Sequence, residues 1–279
     1  MLKTNKPILI IFSFFLLLSL QGCGSIVDFF EEMFDPNLMI IRGEKTYSGE
    51  NEVLEITPGT RVVFRESGKF LFSEGYANRG QLIFSNGAKL IANGEAERII
   101  FEPGDNVARG YITLEENASN DSIIKYCELI DLNLNIKNLT TINHNKFQQS
   151  LIDCYFSGST VIEYNTFEGD PETYGTGIVS GYLSYDPPVP TVSAIIKYNI
   201  INNWRFGICF NQNDTPVIEY NNFTNCGSYA VGWISGTINN NYISDCNGKT
   251  GVDTTGEQSG GVSYQNPQTS PIAEAGCGW

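Results

Sequence analysis

The residues best equipped for chemistry lie in one acidic, aromatic stretch, in seven cysteines and in a single histidine. Glu168, Asp170, Glu172 and Asp186 offer hard carboxylate oxygens of the kind that hold calcium. They lack the spacing of an EF-hand loop or a nonapeptide calcium repeat, so a solvated acidic loop is the plainer reading and calcium the alternative. Tyr174, Tyr182 and Tyr185 share that stretch and Trp204 follows it. An exposed ring can stack on a sugar, which makes these four the candidate glycan-binding residues. With His144 as the only histidine, a His-rich metal site is excluded. No C-x-x-C spacing of a zinc or redox site occurs either. No other cofactor is implied. The net charge of −14 repels nucleic acid and polyanionic glycans alike.

The chain opens with Lys3 and Lys6, an apolar run of 13 residues from Ile8 to Leu20, and then Leu20-Gln21-Gly22-Cys23. The run is shorter than the roughly 20 residues of a membrane-spanning helix and fits the core of a secretory signal peptide. Leu-x-Gly-Cys at that place resembles the lipobox of bacterial lipoproteins. The resemblance implies cleavage before Cys23 and lipid on its thiol and new amino group, palmitate among the acyl chains. Several acyl chains, at about 0.8 kcal/mol per buried CH₂, anchor a protein stably in a membrane. Gly24 stands where aspartate would signal inner-membrane retention, which favours the outer membrane in a cell that has one. Loss of residues 1–22 removes both lysines and takes the charge to −16.

A recurring phrase must position everything else. It reads Ile123-Ile124-Lys125-Tyr126-Cys127-Glu128-Leu129, then Thr141 to Phe147, Val161 to Phe167, Ile195 to Ile201, Val217 to Phe223 and Thr237 to Ile243. Its second-position isoleucines, 124, 142, 162, 196, 218 and 238, are 18, 20, 34, 22 and 20 residues apart. A period of this length marks a solenoid whose units bury their apolar faces only by stacking. Period-two alternation puts these isoleucines inward and Lys125, Asn143, Glu163, Lys197, Glu219 and Asn239 outward. It also puts the aromatic column Tyr126, His144, Tyr164, Tyr198 and Tyr220 inward, and His144 there is a stacking residue. The column Cys127, Asn145, Asn165, Asn199, Asn221 and Asn241 is expected to turn the corner, since asparagine tolerates left-handed geometry, and to pair its amides as a ladder. Outward Glu163, Lys197 and Glu219 alternate in sign and read as a surface ion-pair ladder. The interval of 34 predicts a projecting loop over 168–191.

Three short strands per turn with an asparagine corner resembles the right-handed parallel β-helix of the pectate-lyase superfamily, over residues 50–265. Leu54 to Phe64, Leu82-x-Phe84 and Ile99-x-Phe101 resemble the opening coils of bacterial β-helix lipoproteins. The enzymes of that superfamily use carboxylate clusters with a basic residue, or three aspartates and a histidine. No Asn-Thr-Asp, Asp-Asp or Gly-His-Gly triplet occurs here. On the strand where such enzymes place catalytic groups, the outward positions are expected to be Gly207, Cys209, Ala230 and Gly232, which offer no carboxylate, imidazole or amine for acid–base work; Asp253 alone adds a carboxylate. Trp233 reads as core.

The expected organisation is a lipoprotein signal peptide over 1–22, a lipidated capping segment over 23–49, the β-helix over 50–265 and a tail over 266–279. Ser25-x-x-Asp28 before Phe29, Phe30, Met33 and Phe34 suggests a short helix, either covering the first coil or tethering it. Cys226 and Cys246 each lie eight residues beyond their coil's isoleucine, so they stack one rung apart. They are either a disulfide, as an exported chain allows, or a pair of buried thiols. The expected role is a lipid-anchored cell-envelope protein, non-catalytic, binding a polysaccharide or another surface partner. A polysaccharide lyase or glycoside hydrolase of the same fold is the alternative, and a structural or adhesive spacer a third.

Overall fold

The computed structural model describes residues 35–65, 80–104, 107, 109–154, 159–170, 175–180, 192–210, 214–232, 237–246, 263–266 and 268–278. Cys23, the capping helix, Tyr174, Tyr182, Tyr185, Glu172, Asp186, Trp233 and Asp253 fall outside them. Within them lie 26 strands and no helix. The strands form three parallel sheets of nine, nine and eight strands, and every third strand in chain order lies beside its predecessor. This is a right-handed parallel β-helix with three strands per coil. Each coil runs through sheet 1 (for example Thr141–Asn143), sheet 2 (Lys146–Gln148) and sheet 3 (Leu151–Cys154).

The isoleucine column expected from the repeat pairs residue for residue across sheet 1, from Ile124 to Ile238, and every member is fully buried. Leu129, Phe147, Phe167, Ile201 and Phe223 do the same in sheet 2, with Phe147 and Phe167 stacked at 4.5 Å. Burial of each such side chain stabilises by about 1.5–3 kcal/mol. Like therefore stacks on like.

The corner between sheets 1 and 2 differs from expectation. The aromatic, not the asparagine, takes the left-handed conformation: φ is 55° at Tyr126, 54° at His144 and Tyr164, 56° at Tyr198 and 57° at Tyr220. With only two residues between strands, the first turns the chain and throws its side chain outward. The second then points inward. Asn145, Asn165, Asn199, Asn221 and Asn241 are all fully buried. Their amides form the expected ladder: Asn165 donates its backbone N–H to Asn199 Oδ1 at 2.9 Å, and Asn199 does the same to Asn221 at 2.9 Å. A left-handed residue costs about 1–2 kcal/mol, and the amide bonds at each rung offset it. A second corner, between sheets 2 and 3, is turned by Asp131, Gln149, Asn203, Asn225 and Asp245, all at positive φ.

The 34-residue interval is not one loop. The strand Thr176–Ser180 crosses it as part of sheet 3, so the extra residues divide into two segments. Glu168 is consequently the last residue of the strand Thr166–Glu168 rather than a loop residue. The tail is also ordered against the body. Residues 268–278 run back across four coils as a strap: Gln268 N–H bonds Asn241 O at 2.9 Å, Ile272 exchanges two bonds with the Asn222 amide at 2.7 and 2.9 Å, Gly276 N–H bonds Tyr198 O at 2.7 Å and Cys277 N–H reaches Thr166 Oγ1 at 3.3 Å.

Candidate functional site

The outward face of sheet 1 and the corner beside it carry the most regular surface chemistry. One outward column is β-branched: Ile91, Ile123, Thr141, Val161, Ile195 and Val217. The next is polar and matches expectation: Lys125, Asn143, Glu163, Lys197, Glu219 and Asn239. Lys197 pairs with Glu219 at 2.9 Å and Lys125 with Glu95 at 3.6 Å, surface pairs worth at most about 1 kcal/mol each. Beyond them, at the corner, the half-buried rings of Tyr126, His144, Tyr164, Tyr198 and Tyr220 stack at 4.9, 5.2, 5.1 and 5.2 Å. The inward placement expected for these rings is thus corrected. Extending period-two alternation through a corner reverses the assignment, and the asparagine directly after His144, Tyr164, Tyr198 and Tyr220 was the signal that the alternation breaks there.

His144 sits between Tyr126 and Tyr164, so the stacking role holds although the ring lies on the outside. Burial lowers its pKa, Glu163 works the other way, Lys125 lowers it further and Glu95 raises it; the net effect is below the ordinary imidazole value. The ring is therefore neutral near pH 7, and its Nδ1 has no hydrogen-bond partner. A neutral ring held face to face on both sides is poorly placed for general acid work.

The outward face of sheet 3 departs from the expected floor. Gly207 points inward: a Cβ there would lie 3.0 Å from Phe223 and 3.2 Å from Ile201, both core residues. Ala230 is likewise fully buried in the core. The register Thr176↔Phe206, Ile178↔Ile208 and Val179↔Cys209 keeps one offset throughout and sets Gly207 opposite Gly177, whose added Cβ would meet Gly207 O at 3.1 Å. The outward column runs instead through Thr113, Asn135, Asp153, Val179, Cys209 and Gly232. Asn135 Nδ2 donates to Thr113 Oγ1 at 3.1 Å, and Asp153 is only 5% exposed. Nearby, Arg109 donates to Asn133 Oδ1 at 3.2 Å, and burial raises the Asp131 carboxyl while Arg109 opposes it. Asp153 was missed because its strand, Leu151–Cys154, lies outside the repeated phrase, although the alternation of leucine with asparagine in the neighbouring strand Leu132–Ile136 was visible.

The acidic stretch gives up part of its calcium potential. Glu168 accepts from Asn202 Nδ2 at 3.0 and 3.2 Å and from Asn203 Nδ2 at 2.6 Å, so its oxygens face amide donors. Asp170 is partly exposed, two residues beyond the strand. Among the described residues no group of three or more potential ligands is placed to hold a metal. Trp204 is corrected from a ligand-stacking ring to a core residue. It is 4% exposed, and its indole lies against Gly169, where an added Cβ would come within 2.7 Å of the ring. The two glycines of the preceding coil, 169 and 177, make that room.

Cys226 and Cys246 stand one rung apart as expected, both free, their thiols donating to Thr224 O at 3.9 Å and Ser244 O at 3.4 Å. Cys127 heads the asparagine column, where its N–H donates to Asn145 Oδ1 at 2.9 Å. Burial pushes the thiols of Cys127 and Cys154 well up, so both are inert. Set against models of protein families, curated proteins and solved structures, the chain matches none. Its most regular surface is the outward face of sheet 1, where Lys125 and Lys197 stand in one column with Glu163 and Glu219 beside the aromatic edge.

Proposed function

We propose that this chain is a lipid-anchored bacterial cell-envelope protein whose β-helix is a non-catalytic body that binds a glycan or another surface partner. The carrying observation is Leu20-Gln21-Gly22-Cys23 directly after a 13-residue apolar run, which resembles a lipobox. Lipid on Cys23 holds the body at a membrane, the outer one in a diderm cell. The binding half of the reading is supported by the sheet 1 face, where Lys125 and Lys197 balance Glu163 and Glu219 on a chain that is otherwise strongly acidic. Such a face does not repel a neutral polymer as the rest of the surface repels an anionic one.

Fatty-acid labelling of cells making the wild type or Cys23→Ala tests the anchor. Label and membrane association are expected on the wild type alone, and equal labelling of both would defeat it. A panel of neutral glycans tests the face: Lys197→Ala with Glu163→Ala should weaken binding several-fold in a protein of unchanged circular dichroism. Asp153, beside Asn135 and Thr113 on the outward side of sheet 3, is the observation that favours a lyase or hydrolase instead. Turnover of a polysaccharide abolished by Asp153→Asn would establish that reading and remove the non-catalytic one. A chain that neither binds nor turns over any glycan returns the role to a protein partner or a spacer.

A further inference from the structure

The strands Asn222–Thr224 and Tyr242–Ser244 pair in register, Thr224 opposite Ser244, and the next residue of each turns the corner at positive φ, 51° at Asn225 and 54° at Asp245. Asn225 N–H donates to Ser244 O at 3.2 Å, which keeps the two corners aligned. Cys226 and Cys246 follow at equivalent inward positions, 0% and 3% exposed. Strand spacing puts their Cα atoms about 4.8 Å apart, inside the range a disulfide spans. The Cys226 thiol donates to Thr224 O at 3.9 Å and the Cys246 thiol to Ser244 O at 3.4 Å, equivalent carbonyls one rung apart, so the two sulfurs lie side by side and interact. The other described cysteines are disposed differently. Cys127 donates to Ala92 O and Lys125 O, Cys277 lies against Thr166 Oγ1, Cys154 is buried in sheet 3, and Cys209 lies on that sheet's outward column.

We propose that Cys226 and Cys246 form a dithiol that oxidises to a disulfide joining two successive coils, with Cys246 reacting first. The order follows from the surroundings, since Cys226 is wholly enclosed whereas Cys246 lies beside a partly exposed strand, where a thiolate costs less to form. The pairing with Cys226 holds the Cys246 thiol below the ordinary value, while the same pairing and burial push that of Cys226 far up. Cys246 is also the better exposed of the two, beside a strand whose three residues are all partly exposed, so opening of that coil admits a small disulfide. The Cys246 thiolate attacks one sulfur of that disulfide, RSSR, forming Cys246–S–S–R and releasing RS⁻. Cys226 then loses its proton and attacks Cys246 Sγ, releasing the second RS⁻. Two thiols and RSSR become one protein disulfide and two RSH, with the two electrons carried off by the thiols released.

The experiment is oxidation of the reduced full chain with oxidised glutathione, alkylation of the remaining thiols in denaturant, and mapping by peptide mass spectrometry. The wild type should lose two alkylatable thiols and yield one cross-linked peptide pair containing residues 226 and 246. Cys226→Ser should trap glutathione on Cys246, whereas Cys246→Ser should lower adduct formation at Cys226 at least tenfold. A cross-link from Cys209, glutathione on Cys226 in the Cys246→Ser protein, or two unreacted thiols in the wild type after prolonged oxidation would overturn the assignment. The wild-type map needs no variant to fold, and its outcome is independent of whether Cys23 carries lipid.

Discussion

Asn199 shows how much of this fold one amide can carry. Its Nδ2 donates to Ile162 O, Lys197 O and Asn221 Oδ1, each at 2.9 Å, and its Oδ1 accepts from the backbone and side chain of Asn165 at 2.9 and 3.1 Å. A valine there removes all five and strands the Asn165 N–H and the Ile162 carbonyl in a dry interior. At about 1–3 kcal/mol for each group left unsatisfied, Asn199→Val should cost roughly 3–5 kcal/mol in urea unfolding. Asn143→Val, at the outward position of another copy of the phrase, should change stability by less than about 0.5 kcal/mol. Equal losses at the two positions would show that the ladder contributes nothing specific. The contrast rests on two positions of one phrase, separated by the left-handed aromatic, of which the first faces out and the second in.

At the scale of elements, the aromatic row behaves as one unit with a titratable member. Because the His144 pKa is lowered on folding, the unfolded chain binds more protons in the window between the two values. Its stability contribution is intact above the unfolded imidazole value of about 6.5 and is eroded as pH falls through the lower folded value. Melting temperatures between pH 7 and pH 5 should therefore fall further for the wild type than for His144→Phe, which keeps a ring in the stack. Parallel falls would remove His144 as a source of the pH dependence. The sequence made the strands of sheets 1 and 2 legible, because Ile162 and Phe167 recur at fixed offsets and burial demands it. It did not make the corner legible. Whether Tyr164 or Asn165 takes positive φ depends on which side chain finds inward partners, and those partners are supplied by neighbouring coils. Trp204 was misplaced for a related reason: the space for its indole is made by Gly169 and Gly177 of the preceding coil, so local sequence reads an exposed ring where stacking makes a buried one. Asp153 escaped because sheet 3 has no repeated phrase to align it.

For the whole molecule, stability in a solenoid is close to a sum over coils and their nearest-neighbour interfaces, which allows fraying from either end. The strap changes that sum, because residues 268–278 touch four successive coils at once. Removing residues 268–279 should raise hydrogen exchange in Asn222–Thr224 and Tyr242–Ser244 by tenfold or more while leaving Cys127–Ile130 at its original protection. A uniform change along the helix would mean that the strap adds only general stability. The same feature has a kinetic side. Coil-to-coil contacts close intervals near 20 residues, whereas Cys277 meets Thr166 across 111. Closing that longer interval in an unstructured chain costs about 1.5 kcal/mol more in loop entropy, so it gains nothing by forming early. Once the intervening coils have condensed, they bring its partners into line at no further entropic cost. The strap is then a late event that reports completed assembly, and a chain misregistered by one coil would leave the Asn222 amide and the Tyr198 carbonyl without it, open to proteolysis and to exchange with other chains.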